Sequence, residues 1–336
     1  MNLQSNTAQT QQQPLHSGYG PRTTASDILG ATKLSGKTAL VTGGYSGLGL
    51  EVSRVLAEAG AHVIIPVRSP EKAAAVAATI PGAELERLDL SDPHSIDAFS
   101  NRFLESGRPL HMLINNAGIM AIPEQRDNRG YELQFATNHL GHFQLTARLW
   151  PALQLAGEAR VISVSSGAHR LSPIHFEDPN YRDRPYDKWE AYGQSKTANA
   201  LLALELDRRA KSHGVRAFSV HPGSIVTDLS RHLSDEEMRE MGALDEEGRR
   251  AYSETTEERK TVPEGAATIV WCATSSQLEG KGGVYCQNID IAPLLSSIDG
   301  VRDHNLPGVS YWAADGQAAA QLWSLSEALT GVSFDI

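Results

Sequence analysis

The sequence predicts an α/β fold: a doubly wound, mostly parallel β-sheet in a three-layer α/β/α arrangement that forms a single domain. Two observations predict it. From Lys37 onward, short β-branched or apolar runs alternate with longer amphipathic stretches, and neither an internal repeat nor a linker interrupts that alternation. Regular alternation of strand and helix requires crossover connections between parallel strands, which place helices on both faces of the sheet.

The first elements form a βαβ unit. The run Thr38–Val41 is typical of a buried strand, residues 48–59 of a helix ended by Gly60, and residues 63–65 of a second strand. The later elements continue the alternation. They are a helix from about residue 71, a strand near 85–88, a helix over 93–105, a strand at 111–114, a long helix over 131–155, a strand at 160–164, a helix carrying Tyr192 and Lys196, a strand at 216–220, a helix near 264–273 and a strand around 284–285.

Composition excludes several classes of function. A formal net charge of −10 offers no basic surface to nucleic acid, and no basic amphipathic stretch indicates attachment to anionic lipid. The apolar runs are far shorter than the roughly 20 residues that cross a bilayer. The two cysteines, Cys272 and Cys286, form no Cys-x-x-Cys pair and predict neither a disulfide framework nor a metal site. We expect a protein of a reducing compartment, the cytoplasm.

Several segments depart from the alternation. Residues 1–18 contain a run of three glutamines and are expected to form a disordered polar tail. Residues 19–34 carry enough apolar side chains to dock on the domain of residues 35–336. Residues 167–190 and 229–262 are loop-like or rich in charge. Both follow the carboxyl end of a strand, where open α/β sheets bind ligands, so we expect them to form walls of a substrate pocket.

A glycine-rich turn links the first strand to the first helix. It runs from Thr42 to Gly49 with the sequence TGGYSGLG. Glycines at this place let the backbone approach a pyrophosphate, and the helix N-terminus supplies free N–H groups and the positive end of a dipole. A tight turn without a ligand is the alternative, but the position between a strand and a helix favours a dinucleotide site.

Tyr192 and Lys196 lie four residues apart on a predicted helix and therefore share one face. A free tyrosine has a pKa of about 10 and is a poor acid or base at neutral pH. A fixed positive charge nearby stabilises the phenolate and lowers that pKa, so the pair is suited to proton transfer. An exposed helix face with a snorkelling lysine is the alternative.

Taken together and in this order, the motifs resemble those of the classical short-chain dehydrogenases/reductases. The resemblance covers about residues 35–330 and implies a Rossmann-type fold. The phrases at residues 137–143, 165–169 and 322–327 are most similar to the retinol dehydrogenase and WW-domain oxidoreductase branch, although a polar N-terminal segment replaces the membrane anchor common among retinol dehydrogenases. The motifs that carry the resemblance are the glycine-rich turn, Asn115-Asn116-Ala117-Gly118, Ser165-Ser166, Tyr192-x-x-x-Lys196 and Pro222-Gly223.

The resemblance implies a catalytic tetrad of Asn138, Ser166, Tyr192 and Lys196. In that family Tyr192 would exchange a proton with the substrate oxygen, and Ser166 would donate a hydrogen bond to the same oxygen. Lys196 would hold the nicotinamide ribose and lower the pKa of the phenol, while Asn138 would hold a water that links the lysine to solvent. The cofactor performs the hydride transfer, and no metal is required.

The resemblance also implies a nicotinamide cofactor, and the end of the second strand indicates which one. An acidic residue there would accept both ribose hydroxyls of NAD, but this chain has Val67 followed by Arg68. A guanidinium group pairs well with a 2′-phosphate, so we expect NADP rather than NAD. The other implied cofactor-binding residues are Gly43, Tyr45, Ser46, Gly47, Leu48, Gly49, Asp89, Leu90, Asn116, Ala117, Gly118, Tyr192, Lys196, Pro222, Gly223 and Thr227.

Three histidines lie near these motifs. His139 and His142 are expected to be core or capping residues, because no carboxylate or third ligand stands at metal-binding spacing. His169 is close to Ser166 in sequence, and we expect it to line the substrate site.

We therefore expect an NADP-dependent oxidoreductase that interconverts an alcohol with its ketone or aldehyde and accepts an apolar substrate. The resemblance implies a homodimer or homotetramer joined through the helices that carry Asn138 and Tyr192. Two alternatives stay open: a non-catalytic regulatory protein that responds to the dinucleotide, and a reductase of carbon–carbon double bonds on the same fold. The residues do not name the substrate.

Overall fold

The computed structural model describes residues 12–302 and 306–336. Its main element is a sheet of eight strands. These are β1 (Thr38–Val41), β2 (His62–Val67), β3 (Glu84–Arg87), β4 (Met112–Asn115), β5 (Ala159–Val164), β6 (Val215–His221), β7 (Val284–Gln287) and β8 (Asp290–Ile291), in the spatial order β3-β2-β1-β4-β5-β6-β7-β8. A separate parallel pair consists of β9 (Leu294–Leu295) and β10 (Val309–Ser310).

The large sheet is mostly parallel. Neighbouring strands from β3 through β7 all run parallel, whereas β8 pairs with β7 in the antiparallel direction. On β1, Ala39 stands opposite Val63 on one side and Met112 on the other. Every residue of β1 is buried, which explains its uninterrupted apolar character. The predicted doubly wound fold is confirmed.

Helices cover both faces of the sheet. Val55 and Ile269 belong to the core on one face, and Phe99 and Leu206 belong to the core on the other. None of the described helices combines the length and the apolar character needed to cross a bilayer. The helices are α1 (Ala25–Leu29), α2 (Gly47–Glu58), α3 (Pro70–Ala77), α4 (Pro93–Glu105), α5 (Leu133–Phe135), α6 (Gly141–Arg148), α7 (Trp150–Leu155), α8 (Lys188–Ala210), α9 (Asp235–Glu240), α10 (Val262–Thr274), α11 (Ile298–Arg302) and α12 (Gly316–Thr330).

The segment predicted as one long helix over residues 131–155 is divided. A π-helical turn, Ala136–Leu140, separates α5 from α6, and Pro151 stands in the first turn of α7. A π-turn changes the hydrogen-bond pattern by one residue, and a proline lacks the N–H that a continuous helix requires. The spacing of apolar residues in the sequence does not reveal either break. The π-helical turn carries Asn138.

The N-terminal segment is more ordered than predicted. Residues 1–11 of the expected tail lie outside the described residues, but the expectation of disorder is wrong for residues 12–18. Gln12 is buried, and its side-chain amide completes the hydrogen bonding of backbone groups near the sheet edge. Its Nε2 donates to the carbonyl oxygens of Tyr285 and Ala292 at 2.8 and 2.6 Å, and its Oε1 accepts the N–H of Tyr285 at 2.9 Å.

Residues 19–34 pack against the domain. A capping box between Thr24 and Asp27 starts α1, which lies against α10. Leu29 and Leu34 are buried, whereas Tyr19 stays 42% exposed. The apolar side chains of the short helix therefore account for its docking.

The C-terminal helix α12 covers part of α8 and of the π-helical turn. Leu322 packs in one cluster with Phe135 and Leu201, and Ser326 forms a hydrogen bond with His139 at 2.7 Å. The helices expected to join subunits are thus partly covered by the chain's own residues. An oligomer that forms must use other surfaces, or the uncovered parts of these helices.

Candidate active site

A cavity of about 820 Å³ lies at the carboxyl ends of the central strands. It brings together residues from every motif that the sequence analysis singled out. Asn138 and His169 are the predicted site residues that do not line it. The predicted residues that do are Gly43, Tyr45, Ser46, Gly47, Leu48, Gly49, Arg68, Asp89, Leu90, Asn116, Ala117, Gly118, Ser166, Tyr192, Lys196, Pro222, Gly223 and Thr227.

The glycine-rich turn is closely packed. Gly43 has a φ of +66°, in the left-handed region that favours glycine. A Cβ on Gly49 would lie 2.3 Å from the carbonyl oxygen of Gly43 and 2.6 Å from Nδ2 of Asn116. That Nδ2 donates to the carbonyl oxygen of Thr42 at 2.9 Å. The turn thus presents the N-terminus of α2 to the cavity, an arrangement that fits a pyrophosphate.

The two serines after β5 have different surroundings. Ser165 is buried, and its hydroxyl donates to the carbonyl oxygen of Lys196 at 2.7 Å. Ser166 Oγ accepts the N–H of Ala168 at 3.1 Å, and the same side chain lies beside the Tyr192 phenol and lowers its pKa. Ser166 is therefore the serine beside the phenol.

Tyr192 and Lys196 lie on α8, and both are almost fully buried. The Lys196 Nζ is 5.5 Å from the centre of the phenol ring. Burial raises the pKa of Tyr192 to about 12, although the hydrogen bond from Ser166 opposes the rise. Burial also lowers the pKa of Lys196 to about 8. In the protein alone, desolvation of the phenolate therefore raises the pKa of the phenol, in contrast to the lowering that we expected from Lys196.

Asn138 is fully buried in the π-helical turn, behind the cavity. Its Oδ1 accepts the N–H of Ile119, and its Nδ2 donates to the carbonyl oxygen of Ile119 and to Ser195 Oγ, each at 2.9 Å. Its own carbonyl oxygen accepts a hydrogen bond from His142 Nδ1 at 2.9 Å. The side chain therefore joins the segment after β4 to the helix that carries the phenol and the ammonium group.

Arg68 follows the end of β2 and is exposed. It lines both the main cavity and a smaller neighbouring one of about 380 Å³, and Asp89 also lines both. Asp89 accepts two hydrogen bonds from Ser91, and no carboxylate among the described residues forms an ion pair with Arg68. The guanidinium group therefore fits an added phosphate at this end of the cavity.

Both predicted insertions border the cavity. The first contributes Trp189, and the second contributes Met238, Met241 and Tyr252. Thioether and aromatic groups form an apolar wall that adapts to the shape of a ligand. The residues of this wall all belong to the two segments that interrupt the regular alternation of strands and helices.

The histidines behave differently from one another. His139 and His142 are fully buried, and burial lowers their pKa values to about 3 and about 4, so both are neutral core residues. The expectation for His169 is wrong, because this residue is buried behind Ser166 and does not line the cavity. Across residues 12–302 and 306–336, no group of three or more His, Cys, Asp or Glu side chains is arranged to hold a metal ion.

Sequence reasoning missed His221 and Glu258. His221 ends β6, and its Nδ1 accepts the N–H of Gly167 at 2.9 Å. Its Nε2 forms a 2.7 Å contact with Glu258 Oε1. The position of His221 directly before Pro222 was a usable signal, because that proline belongs to a recognised motif. Nothing local pointed to Glu258, which lies 37 residues further along.

Comparison with known proteins gives the class. Residues 37–238 match the family model described as short chain dehydrogenase. A Streptomyces lividans protein named "Probable oxidoreductase" is 44% identical over 296 residues, which cover 86% of this chain and 96% of that protein. The chain belongs to the short-chain dehydrogenase family and is an oxidoreductase by family. Human retinol dehydrogenase 11 is 37% identical over 309 residues, which cover 90% of this chain and 88% of that protein.

Solved structures agree with this assignment. A crystal structure of an uncharacterized protein from Mycobacterium Paratuberculosis matches with a TM-score of 0.69 at 35% identity, covering 92% of this chain and 98% of that one. The Pseudomonas aeruginosa RhlG/NADP active-site complex matches with a TM-score of 0.57 at 25% identity, covering 75% of this chain and 94% of that one. The resemblance identified from the motifs is confirmed.

Proposed function

We propose that this protein is an NADP-dependent oxidoreductase that interconverts an alcohol with its ketone or aldehyde, with Tyr192 as general acid and base. The observation that carries the proposal is that Ser166 and Tyr192 both line the cavity that also contains the glycine-rich turn, with Ser166 close enough to the phenol to lower its pKa. A hydroxyl and a phenol that meet at one point of a cavity are placed to act on one substrate oxygen.

Ser166 is arranged to donate. Its Oγ accepts the N–H of Ala168, which leaves the hydroxyl proton free to point toward the phenol or a substrate oxygen. In the direction of reduction, Ser166 and Tyr192 both donate to the carbonyl oxygen, and Tyr192 transfers its proton as negative charge develops there. In the direction of oxidation, the phenolate of Tyr192 takes the proton of the alcohol.

The nicotinamide cofactor, when bound, supplies or accepts the hydride. Lys196 is the residue suited to hold its ribose hydroxyls, because its ammonium group lies beside the phenol in a buried site. With a pKa of about 8, Lys196 is mostly charged at neutral pH. Its charge favours the phenolate form, which a Tyr192 pKa of about 12 otherwise disfavours. Asn138 supports this helix through Ser195.

Two observations support NADP over NAD. Arg68 follows β2 at the place where an acidic residue would favour NAD, and it lines the cavity. One structural relative is an NADP complex. The glycine-rich turn and the N-terminus of α2 are suited to the shared pyrophosphate of either cofactor, so Arg68 carries the choice between them.

The substrate is proposed to be an apolar alcohol or carbonyl compound. Met238, Met241 and Trp189 supply apolar surface in the cavity beside Tyr192. The relative named retinol dehydrogenase 11 is consistent with this class, since retinol is an apolar alcohol. A cytoplasmic location and a homo-oligomer stay predictions, and α12 favours an interface away from the part of α8 that it covers.

Tyr192→Phe tests the proposal, because it keeps the ring and removes the transferable proton. We expect NADPH-dependent turnover of a panel of apolar ketones and aldehydes to fall at least about 100-fold. The Kd for NADPH, measured by isothermal titration calorimetry, is expected to stay within about twofold. Tyr311→Phe is the matched control, since Tyr311 is 40% exposed and does not line the cavity. Retained turnover in Tyr192→Phe would contradict the proposed role.

The same panel separates the alternatives. A wild-type protein that binds NADPH but converts none of the carbonyl compounds would favour the regulatory alternative. Consumption of NADPH with conjugated enones, giving saturated ketones and no alcohol, would favour reduction of carbon–carbon double bonds. The Ser166 and Tyr192 pair supports carbonyl chemistry over the regulatory alternative, because a protein that only senses a dinucleotide needs no such pair.

A further inference from the structure

The peptide bond between Ser166 and Gly167 is held by two histidines. His169 Nδ1 lies 2.7 Å from the carbonyl oxygen of Ser166. His221 Nδ1 lies 2.9 Å from the backbone nitrogen of Gly167. The two imidazoles therefore contact both polar groups of one peptide unit, and that unit begins with the serine beside Tyr192.

His169 is oriented as a donor. Its Nε2 accepts the N–H of Ser310 at 3.0 Å, so the single proton of the neutral ring lies on Nδ1 and is donated to Ser166. Burial lowers the pKa of His169 to about 3, which keeps the ring neutral. The hydroxyl of Tyr285 donates to the same carbonyl oxygen at 3.2 Å. The backbone N–H of His169 also donates to this oxygen at 3.1 Å, so the Ser166 carbonyl has three donors.

His221 is oriented as an acceptor. The Gly167 N–H donates to its Nδ1, so the ring proton lies on Nε2 and is donated to Glu258 Oε1 at 2.7 Å. Burial opposes ionisation of Glu258, but the hydrogen bond from His221 and the charges of Lys260 and Arg170 outweigh it and lower its pKa. Glu258 is therefore a carboxylate acceptor that fixes the tautomer of His221.

Gly167 permits this contact. A Cβ at this position would lie 3.3 Å from His221 Nε2, closer than most side chains tolerate.

Ser310, Tyr285 and Glu258, which support the two imidazoles, all lie after residue 238, where the match to the family model ends. The part of the chain outside the matched region thus supports the peptide at the centre of the site.

We propose that His169 and His221 are positioning residues, which hold the Ser166–Gly167 peptide so that the Ser166 hydroxyl faces Tyr192. The inference rests on the proposed function, which gives Ser166 its role. Displacement of this peptide would move the Cα of Ser166 and, with it, the Oγ that this residue carries. A displacement of about 1 Å at a reacting group lowers rates by about 100-fold.

Three variants test the proposal. His221→Leu removes the acceptor for Gly167. His221→Asn keeps an acceptor, because its Oδ1 occupies nearly the place of Nδ1. His111→Leu is the matched control, since His111 Nδ1 accepts the N–H of Thr38 at 3.0 Å, a bond of the same kind at the amino ends of the central strands β1 and β4.

Steady-state kinetics give the first measurement. We expect His221→Leu to lower kcat by about 10-fold to 100-fold, with the Kd for NADPH changed less than about twofold. His221→Asn is expected to recover most of the lost kcat, and His111→Leu to keep wild-type kcat. Equal kcat values for folded His221→Leu and wild type would overturn the inference, as would equal losses in the Leu and Asn variants.

Nuclear magnetic resonance gives a second measurement that needs no turnover. In protein labelled with ¹³C at tyrosine Cζ, the Tyr192 signal reports the proximity of the Ser166 hydroxyl to the phenol. We expect His221→Leu to shift this signal in the same direction as Ser166→Ala, and His111→Leu to leave it unchanged. An unshifted Tyr192 signal in His221→Leu would contradict the positioning role of His221. This measurement stays valid if the wild type converts no carbonyl compound, because a lack of turnover contradicts only the proposed function.

Discussion

Lys196 donates a hydrogen bond from Nζ to the carbonyl oxygen of Val164 at 3.0 Å, inside a site where it is almost fully buried. Val164 ends β5, directly before the serine pair, so this bond joins the helix of the ammonium group to the strand that leads to Ser166. Asn199 Nδ2 donates to the same carbonyl oxygen at 3.0 Å. The carbonyl therefore keeps a partner when Lys196 is replaced.

Lys196→Met is expected to stabilise the protein and inactivate it. Burial lowers the pKa of Lys196 from 10.5 to about 8, so below pH 8 the folded protein carries a charge that costs on the order of 3 kcal/mol. Between pH 8 and 10.5 the folded lysine is neutral while the unfolded one is still charged, so this cost disappears as pH rises. Urea unfolding of both proteins at pH 7 and at pH 10 measures the difference. A stability advantage of Lys196→Met over the wild type that grows as pH rises would contradict the expected cost of the buried charge.

Arg68→Gln is expected to weaken NADPH binding about 10-fold to 100-fold, because a charge-assisted pair with the phosphate is lost. NADH lacks that phosphate, so its Kd is expected to change less than about twofold. Calorimetric titration of both cofactors gives the ratio. Arg148→Gln is the matched control, because Arg148 is paired with Asp97 at 2.8 Å and lines neither cavity. An equal loss of affinity for NADPH and NADH would mean that Arg68 does not determine which cofactor the protein prefers.

Gly49→Ala is expected to disrupt the cofactor turn. The new methyl group would lie 2.3 Å from the carbonyl oxygen of Gly43, a contact that the backbone must move to relieve, at a cost of about 1–3 kcal/mol. The expected result is a lower Tm together with loss of NADPH binding. Gly316→Ala is the control, because its Cβ would have no atom within 4 Å. A Gly49→Ala protein with wild-type Tm and wild-type Kd for NADPH would show that the turn accommodates a methyl group at this position.

Gln12→Ala is expected to lower the free energy of unfolding by about 1–3 kcal/mol, because it leaves the N–H of Tyr285 and the carbonyl oxygen of Ala292 without their partner near the sheet edge. Thermal and urea unfolding measure the loss. Gln317→Ala is a suitable control, since Gln317 is exposed at the start of α12. Equal stability of the Gln12 variant and the wild type would mean that the N-terminal segment is dispensable for the domain.

The elements that the sequence predicted well are those whose evidence is local. The strand Thr38–Val41 agrees with its predicted bounds, because a central strand buried on both faces consists of consecutive apolar residues. The glycine-rich turn lines the cavity as expected, because glycine spacing between a strand and a helix is itself a local signal. The divided helix at Asn138 was missed, because a π-turn leaves the apolar spacing on either side intact.

The contacts that the sequence could not predict join residues far apart in the chain. Gln12 pairs with Tyr285 across 273 positions, and Ser310 reaches His169 across 141. No periodicity links such residues, since the contacts exist only once the sheet and its covering helices are packed. The two-residue strands β9 and β10 escaped notice for the same reason, because a strand of that length has no measurable alternation.

The sequence by itself determined the fold class, the family and the residue types of the site, because apolar periodicity and motif spacing are properties of neighbouring residues. The tertiary structure decided how those residues are held. It raised the pKa of the phenol by burial and set two histidines around the Ser166–Gly167 peptide. Desolvation and hydrogen-bond direction depend on which groups surround an atom in space, and the order of residues along a chain does not specify that.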